Sequence, residues 1–246
     1  MHIGYHSWWS PQLEQTMALK VYGSAGKPML VFPTQEGRFF EFEDFGMVEV
    51  CAEDIEAGRI QIYTVDGIDA QSWTHPHLSV PARVARYEQY ERYILQEVLP
   101  FIRENNPLHS QRILTTGCSM GAYHAANFFF RHPDKFDALL AISGVYRLNL
   151  FIGNYMDSQV YFHTPLAFLP HLNDPQTLKY LRESQIIVSV GQGAWEDPML
   201  ADTRALKTIL DQKQIPCWID IWGHDVNHDW PWWRKKMAYF LMHLKI

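Results

Sequence analysis

The sequence predicts an α/β three-layer sandwich with a mostly parallel central sheet, and three observations carry that prediction. Short apolar runs of strand length recur along the 246 residues, at 16–21, 28–32, 60–65, 112–116, 138–142, 185–190 and 217–222. Helix-compatible stretches separate most of them, which calls for crossover connections and a sheet covered on both faces. Near the N-terminus two strands follow one another with no helix between them, so the sheet should open with an antiparallel part.

In chain order, the clearest helix is expected over residues 81–104. There Val84, Tyr87, Ile94, Leu95, Val98 and Ile102 follow a 3.6-residue spacing, and Pro100 should kink the last turns. A second helix should start at Ala122 and end at His132-Pro133. Residues 148–179 break the alternation, with Phe151, Tyr155, Tyr161, Phe162 and Phe168 beside Pro165, Pro170 and Pro175. They are expected to form an insertion that walls a pocket, because ligands of open parallel sheets sit beyond the carboxyl ends of the strands. A plain core-covering excursion is the alternative. Further helices are expected from near Pro198 and over 235–244. No repeat, linker or like-charge block interrupts the chain, so residues 1–246 read as one domain.

Composition narrows the function classes. At 47% hydrophobic and 20% charged residues the chain is a folded globular protein rather than a disordered one. Twenty-one Lys plus Arg against 27 Asp plus Glu give a net charge of −6, the wrong sign for a protein whose affinity rests on phosphates, so nucleic acid is not an expected partner. Cys51, Cys118 and Cys217 are too few for a disulfide framework and form no CxxC pair. With no basic leader and no apolar run beyond roughly five residues, the expectation is a cytoplasmic protein without a membrane segment.

The chemistry-bearing motif is Gly117-Cys118-Ser119-Met120-Gly121, a G-x-S-x-G between the apolar strand at Ile113-Leu114 and a helix-compatible stretch. The bare pattern would arise by chance roughly 0.1 times in such a chain, so the strand–turn–helix context is what makes Ser119 a candidate nucleophile. Cys118, just before the tip, should be packed away. A serine hydroxyl needs a base and a group that fixes the base's tautomer. On a sheet of this kind the base comes late in the chain, leaving His224, His228 and His243. His243 should lie on the surface of the terminal helix. His224 and His228 share the loop from Gly223 to Trp233. We assign the base to His228, just ahead of the helix-starting Pro231 and amid tryptophans that keep water off the ring. The HxxxH spacing also invites a metal reading, which lacks a following glutamate or a third ligand, so no metal is expected.

The acid should follow the strand at 185–190. Glu196 and Asp197 are adjacent there and must point in different directions, so only one can orient His228. We assign Glu196, leave Asp197 as a helix cap before Pro198, and keep Asp202 behind them. An oxyanion hole needs the amide of Met120 and one from the loop after the strand at 28–32, where position points to Gln35.

With these residues placed, the chain resembles the putative esterase family of the α/β-hydrolase fold, whose members include feruloyl esterases, S-formylglutathione hydrolases, enterochelin esterases and mycolyltransferases. The resemblance spans nearly the whole chain. Its most specific element is a histidine followed by tryptophan two and five residues on, here His228, Trp230 and Trp233. Phe32-Pro33-Thr34-Gln35 departs from the Asp-Gly or Ser-Gly of better-known members. The resemblance implies acyl transfer from a small-molecule ester or thioester through a serine acyl-enzyme, without a cofactor. Water is the expected acceptor. An alcohol acceptor would make the same site an acyltransferase, and a noncatalytic binding protein on the same scaffold is the reading from another class. An exposed apolar edge would support a homodimer.

Overall fold

The computed structural model describes residues 1–108 and 112–245. Among these, β1 (Ile3–Ser10), β2 (Gln15–Tyr22), β3 (Lys27–Phe32), β4 (Ile60–Val65), β5 (Ile113–Cys118), β6 (Phe136–Ile142), β7 (Gln185–Val190) and β8 (Trp218–Ile221) form one sheet in the order β1-β2-β4-β3-β5-β6-β7-β8. The pairs β1–β2 and β2–β4 are antiparallel and all the others parallel. This is the mixed sheet of an α/β-hydrolase fold.

The sheet does open antiparallel, but not through the two consecutive runs at 16–21 and 28–32: β4 lies between β2 and β3, and the antiparallel partners of β2 are β4 and β1, a strand absent from the seven runs read in the sequence. Its burial alternates, with Ile3, Tyr5, Ser7 and Trp9 exposed, because no helix covers that side of the edge strand. The opposite face carries His6 and Trp8 against Phe101. Aromatic side chains on both faces erase the apolar–polar alternation by which a strand is recognised.

Helices of seven or more residues are labelled α1 (Val80–Tyr93), α2 (Leu99–Asn105), α3 (Met120–Arg131), α4 (Pro175–Arg182), α5 (Asp197–Gln212) and α6 (Trp230–Leu241). The single helix expected over 81–104 is α1 and α2 joined by a π-helical turn, Ile94–Val98. Pro100, which lacks an amide proton, falls in the first turn of α2, and the wider π-turn absorbs the missing hydrogen bond just ahead of it. One face of the sheet packs on α1, α3 and α5 around Tyr87, Phe128 and Leu206. The other packs on α6 and three short helices between Glu41 and Glu56, around Met47, Met237 and Phe240.

The segment 148–179 holds three short helices, Asn149–Ile152, Ser158–Phe162 and Pro165–Phe168, and the start of α4. Val160, Phe168 and Leu169 join the core, and the Tyr123 hydroxyl donates to the His163 carbonyl at 2.9 Å. Most of it therefore covers α3, while its first residues, Asn149 and Leu150, border a hollow of about 200 Å3 shared with Val145, Pro198 and Asp202. No helix among the described residues is long and apolar enough to cross a membrane.

Register places the functional loops. Phe32 lies opposite Gly117, Cys118 opposite Ile142, Ile142 opposite Ser189, and Val190 opposite Ile221. The carboxyl ends of β3, β5, β6, β7 and β8 are thus level, and the loops that leave them meet at one edge.

Candidate active site

At the end of β5 the chain turns sharply into α3, and Ser119 takes φ 57° and ψ −123°, a conformation that is costly for any residue but glycine. The flanking glycines make the turn possible. A Cβ on Gly117 would sit 2.4 Å from the Gly121 carbonyl carbon, and one on Gly121 would sit 2.4 Å from the Phe32 carbonyl oxygen. Any side chain at either position would push β5, α3 and the end of β3 apart. The Ser119 amide donates to the Ile142 carbonyl at 3.0 Å, pinning the tip to the neighbouring strand.

Ser119 Oγ lies 2.8 Å from Nε2 of His228, and His228 Nδ1 lies 3.4 Å from Oε2 of Glu196. The structure brings these three residues together. The edge of the His228 ring meets Trp233 at a centroid distance of 4.9 Å, and Trp233 belongs to α6, which Asp229 caps by accepting from the Trp230 amide. The helix expected over 235–244 therefore begins earlier, close behind His228.

Two loops hold Glu196 beside His228. The Gly193 amide donates to the Val226 carbonyl (2.9 Å), the Ala194 amide to Asn227 Oδ1 (2.9 Å), and the His228 amide to the Ala194 carbonyl (3.0 Å). A Cβ on Gly191 would come within 2.1 Å of the Val226 oxygen, so the backbones touch there. Sequence reading missed this zipper, although the Gly-Gln-Gly spacing just before the acid is its signal.

Glu196 is fully buried. Its second oxygen accepts from Ser143 Oγ at 2.6 Å. Burial pushes its carboxyl up, but hydrogen bonds from His228 and Ser143 and the charges of His228 and Lys236 outweigh that and leave it below the ordinary range. Ser143 was not read from the sequence. It follows β6 at the same sheet edge and itself takes a positive φ of 55°.

The alternatives fall elsewhere. Asp197 is exposed in the first turn of α5 and makes no side-chain capping bond, which corrects its expected role as a cap. Its charge still suits the positive end of the helix. Asp202 is buried and spent on the Tyr146 and Arg147 amides and the Arg147 guanidinium. His224 and His243 are exposed. Cys118 is buried, which pushes its thiol up and keeps it protonated. Among the described residues no group of three or more His, Cys, Asp or Glu side chains is arranged to hold a metal ion.

In the loop after β3 the Thr34 amide donates to Glu41 Oε2 (2.8 Å) and the Glu36 amide to Asp69 Oδ2 (3.2 Å). Gln35, between them, has no amide hydrogen bond to any described residue, and neither has Met120 at the start of α3. Both amides are available to a ligand.

A serine at a strand–turn–helix elbow, within hydrogen-bond reach of a histidine backed by a buried carboxylate, is the arrangement of a serine hydrolase on an α/β-hydrolase sheet. The sequence matches the family described as "Putative esterase" over residues 10–244, and the chain belongs to that family. A search of the curated proteins found no match. Among solved structures, the chain is similar to a ferulic acid esterase (17% identity, TM-score 0.77, 97% of this chain and 95% of that one covered). It is also similar to an S-formylglutathione hydrolase from Staphylococcus aureus (18%, 0.72, 98% and 96%) and to a fluorophosphonate-binding serine hydrolase of the same organism (15%, 0.68, 98% and 97%). The family makes the protein an enzyme, a hydrolase of carboxylic esters.

Proposed function

We propose that the protein cleaves a small-molecule ester or thioester through an acyl-enzyme on Ser119, with His228 as general base and acid and Glu196 as the group that orients it. The single observation behind this reading is the continuous contact from Ser119 Oγ to His228 Nε2 and from His228 Nδ1 to Glu196. Ser119 Oγ attacks the carbonyl carbon as its proton passes to Nε2. The oxygen that becomes negative is met by the amides of Met120 and Gln35, the former at the positive end of α3. His228 then returns the proton to the departing alcohol or thiol. Water enters next, is deprotonated by His228, and releases the acid. Water can reach the ring, whose side chain keeps 14% of its surface exposed. Glu196 stays ionised and holds Nδ1–H throughout. Residues 1–246 act as one catalytic domain in the cytoplasm.

The test is labelling by a fluorophosphonate together with hydrolysis of short and long p-nitrophenyl esters, wild type beside Ser119→Ala. Labelling and turnover by the wild type alone support the acyl-enzyme. Equal behaviour of the two proteins defeats it. Adding an alcohol and finding the transferred ester among the products would make the acceptor an alcohol.

We also propose a homodimer through β1. This edge strand carries no Asp, Glu, Lys, Arg or Pro, the residues that usually block edge pairing, and exposes Tyr5 and Trp9 by 61% and 64%. Antiparallel pairing of β1 with its copy satisfies a twofold axis. A monomer in light scattering at micromolar concentration, unchanged by Trp9→Lys, would refute it.

A further inference from the structure

A second histidine–carboxylate pair lies buried between α3 and the loop after β3. Asp69 and His124 are exposed by only 1% and 2%. His124 Nε2 lies 3.0 Å from Asp69 Oδ1, and His124 Nδ1 lies 2.8 Å from the Tyr87 hydroxyl. Burial holds the Tyr87 phenol protonated, so it donates to Nδ1 and leaves the ring proton on Nε2, facing the carboxylate. The other oxygen of Asp69 accepts from the Glu36 amide at 3.2 Å. One carboxylate therefore joins α3 to the loop after β3.

What it joins is specific. His124 sits one helical turn after Met120 and on the same face of α3. Glu36 is the residue after Gln35, and it takes a positive φ of 58°, which no glycine relieves. An acceptor for its amide favours that strained conformation over relaxed ones. On the other side, Glu41 takes both the amide and the hydroxyl of Thr34, at 2.8 and 2.6 Å. The Gln35 amide is thereby flanked by two amides already committed to carboxylates and itself has no partner among the described residues. At the base of the loop, Gly121 lets α3 touch the Phe32 and Pro33 carbonyls directly. The spacing between the Met120 and Gln35 amides is thus set at two points, a backbone contact and the bridge through Asp69.

We infer that Asp69 and His124 are positioning residues for the oxyanion hole, holding the Gln35 amide at a fixed distance from the first turn of α3. The inference rests on the proposed roles of Ser119, Met120 and Gln35. A displaced donor costs most where charge develops, in the transition state, and little in the bound ester. In Asp69→Asn the side chain offers one acceptor oxygen to two donors, so either the Glu36 amide loses its partner or His124 must give up its Nε2 proton and the hydrogen bond it accepts from Tyr87.

The experiment measures kcat and KM per active site titrated with a fluorophosphonate, together with the affinity of a boronic acid, which forms a tetrahedral anionic adduct on serine. Asp69→Asn and His124→Phe should each lower kcat about tenfold, change KM by less than about twofold, and weaken the boronic acid by a factor similar to that in kcat. His124→Gln, which still reaches Asp69 with an amide N–H, should restore at least a third of kcat. A merely structural role would lower the titratable fraction and the melting temperature but leave kcat per site and boronic-acid affinity unchanged, and that result overturns the inference. If Asp69→Asn does not fold, the two His124 variants decide on the same readouts. Loss of activity in Ser119→Ala alongside normal Asp69→Asn refutes only this inference, whereas an active Ser119→Ala refutes the underlying reading as well.

Discussion

Lys236 offers a quantitative test of how this interior treats charge. Its side chain is fully buried on α6, and its amine finds no hydrogen-bond partner among the described residues. The Trp222 ring lies 5.6 Å away. Burial pushes the amine down to about 8, an effect that the charges of Glu196 and Asp220 offset only in part. Keeping the proton against that depression costs the folded state about 3 kcal/mol at neutral pH. The sign follows from proton counts. Below pH 8 both states are protonated and the folded state bears the full cost. Between pH 8 and the ordinary lysine range the unfolded chain still binds a proton that the folded state has released, so stability rises with pH. Lys236→Met removes both the charge and the unpaired amine, and should be the more stable protein at pH 7. Denaturant titrations of both proteins at steps from pH 7 to 10.5 should show the gap narrowing by about 3 kcal/mol. Buried tyrosines and cysteines titrate in the same window but cancel in the difference. A gap that stays constant across that range, or a methionine variant less stable at pH 7, would refute the reasoning.

Three further outcomes are expected. Gly191→Ala places a methyl group within 2.1 Å of the Val226 oxygen, so the acid and base loops must separate; kcat should fall at least about tenfold and stability by about 2 kcal/mol, read by active-site titration and thermal melting. Glu196→Gln keeps the shape but not the charge that fixes the His228 tautomer, and should cut kcat by about 10² to 10⁴, whereas Asp197→Asn, exposed on α5, should leave kcat unchanged and stability within about 0.5 kcal/mol. Ser143→Ala removes a 2.6 Å hydrogen bond that helps hold the Glu196 carboxyl down. The acidic limb of the kcat/KM profile should therefore move to higher pH, and an unmoved limb would show that Ser143 does not bear on the acid.

What could be read from the sequence was whatever short-range pattern determines. Seven strands, the elbow around Ser119 and the late loop carrying His228 all follow from local runs and spacings. The edge strand β1 did not, because Ile3, Tyr5 and Trp9 on one face and Trp8 on the other leave no polar side to mark it. The π-turn at Ile94–Val98 was hidden for a similar reason, since an extra residue in a turn shifts the phase of a helix without changing its composition. Ser143 and Asn227 were out of reach, and Gly191 and Gly193 gave only a Gly-Gln-Gly spacing without its partner, because these roles exist only where separate strands end side by side. The hydrogen bond from Ser143 to Glu196 spans 53 positions and the one from Ala194 to Asn227 spans 33.

The pair Glu196 and Asp197 shows how adjacent carboxylates come to differ. Helix α5 begins at Asp197, and Trp195 just upstream takes a positive φ of 69° and is 83% exposed. That reversal turns the chain so that the next side chain points inward, under His228. One residue later the helix has started, and its first side chain points to water. The zipper to residues 226–228 fixes this phase by bonding the Gly193 and Ala194 amides before the turn is made. Moving the carboxylate by one position would therefore do more than lengthen a contact. In a protein carrying both Glu196→Gln and Asp197→Glu the longer acid at 197 should restore no activity, because direction, rather than reach, separates the two sites. Recovery above about a tenth of wild-type kcat in that double variant would show that the loop can rotate and that its phase is not fixed.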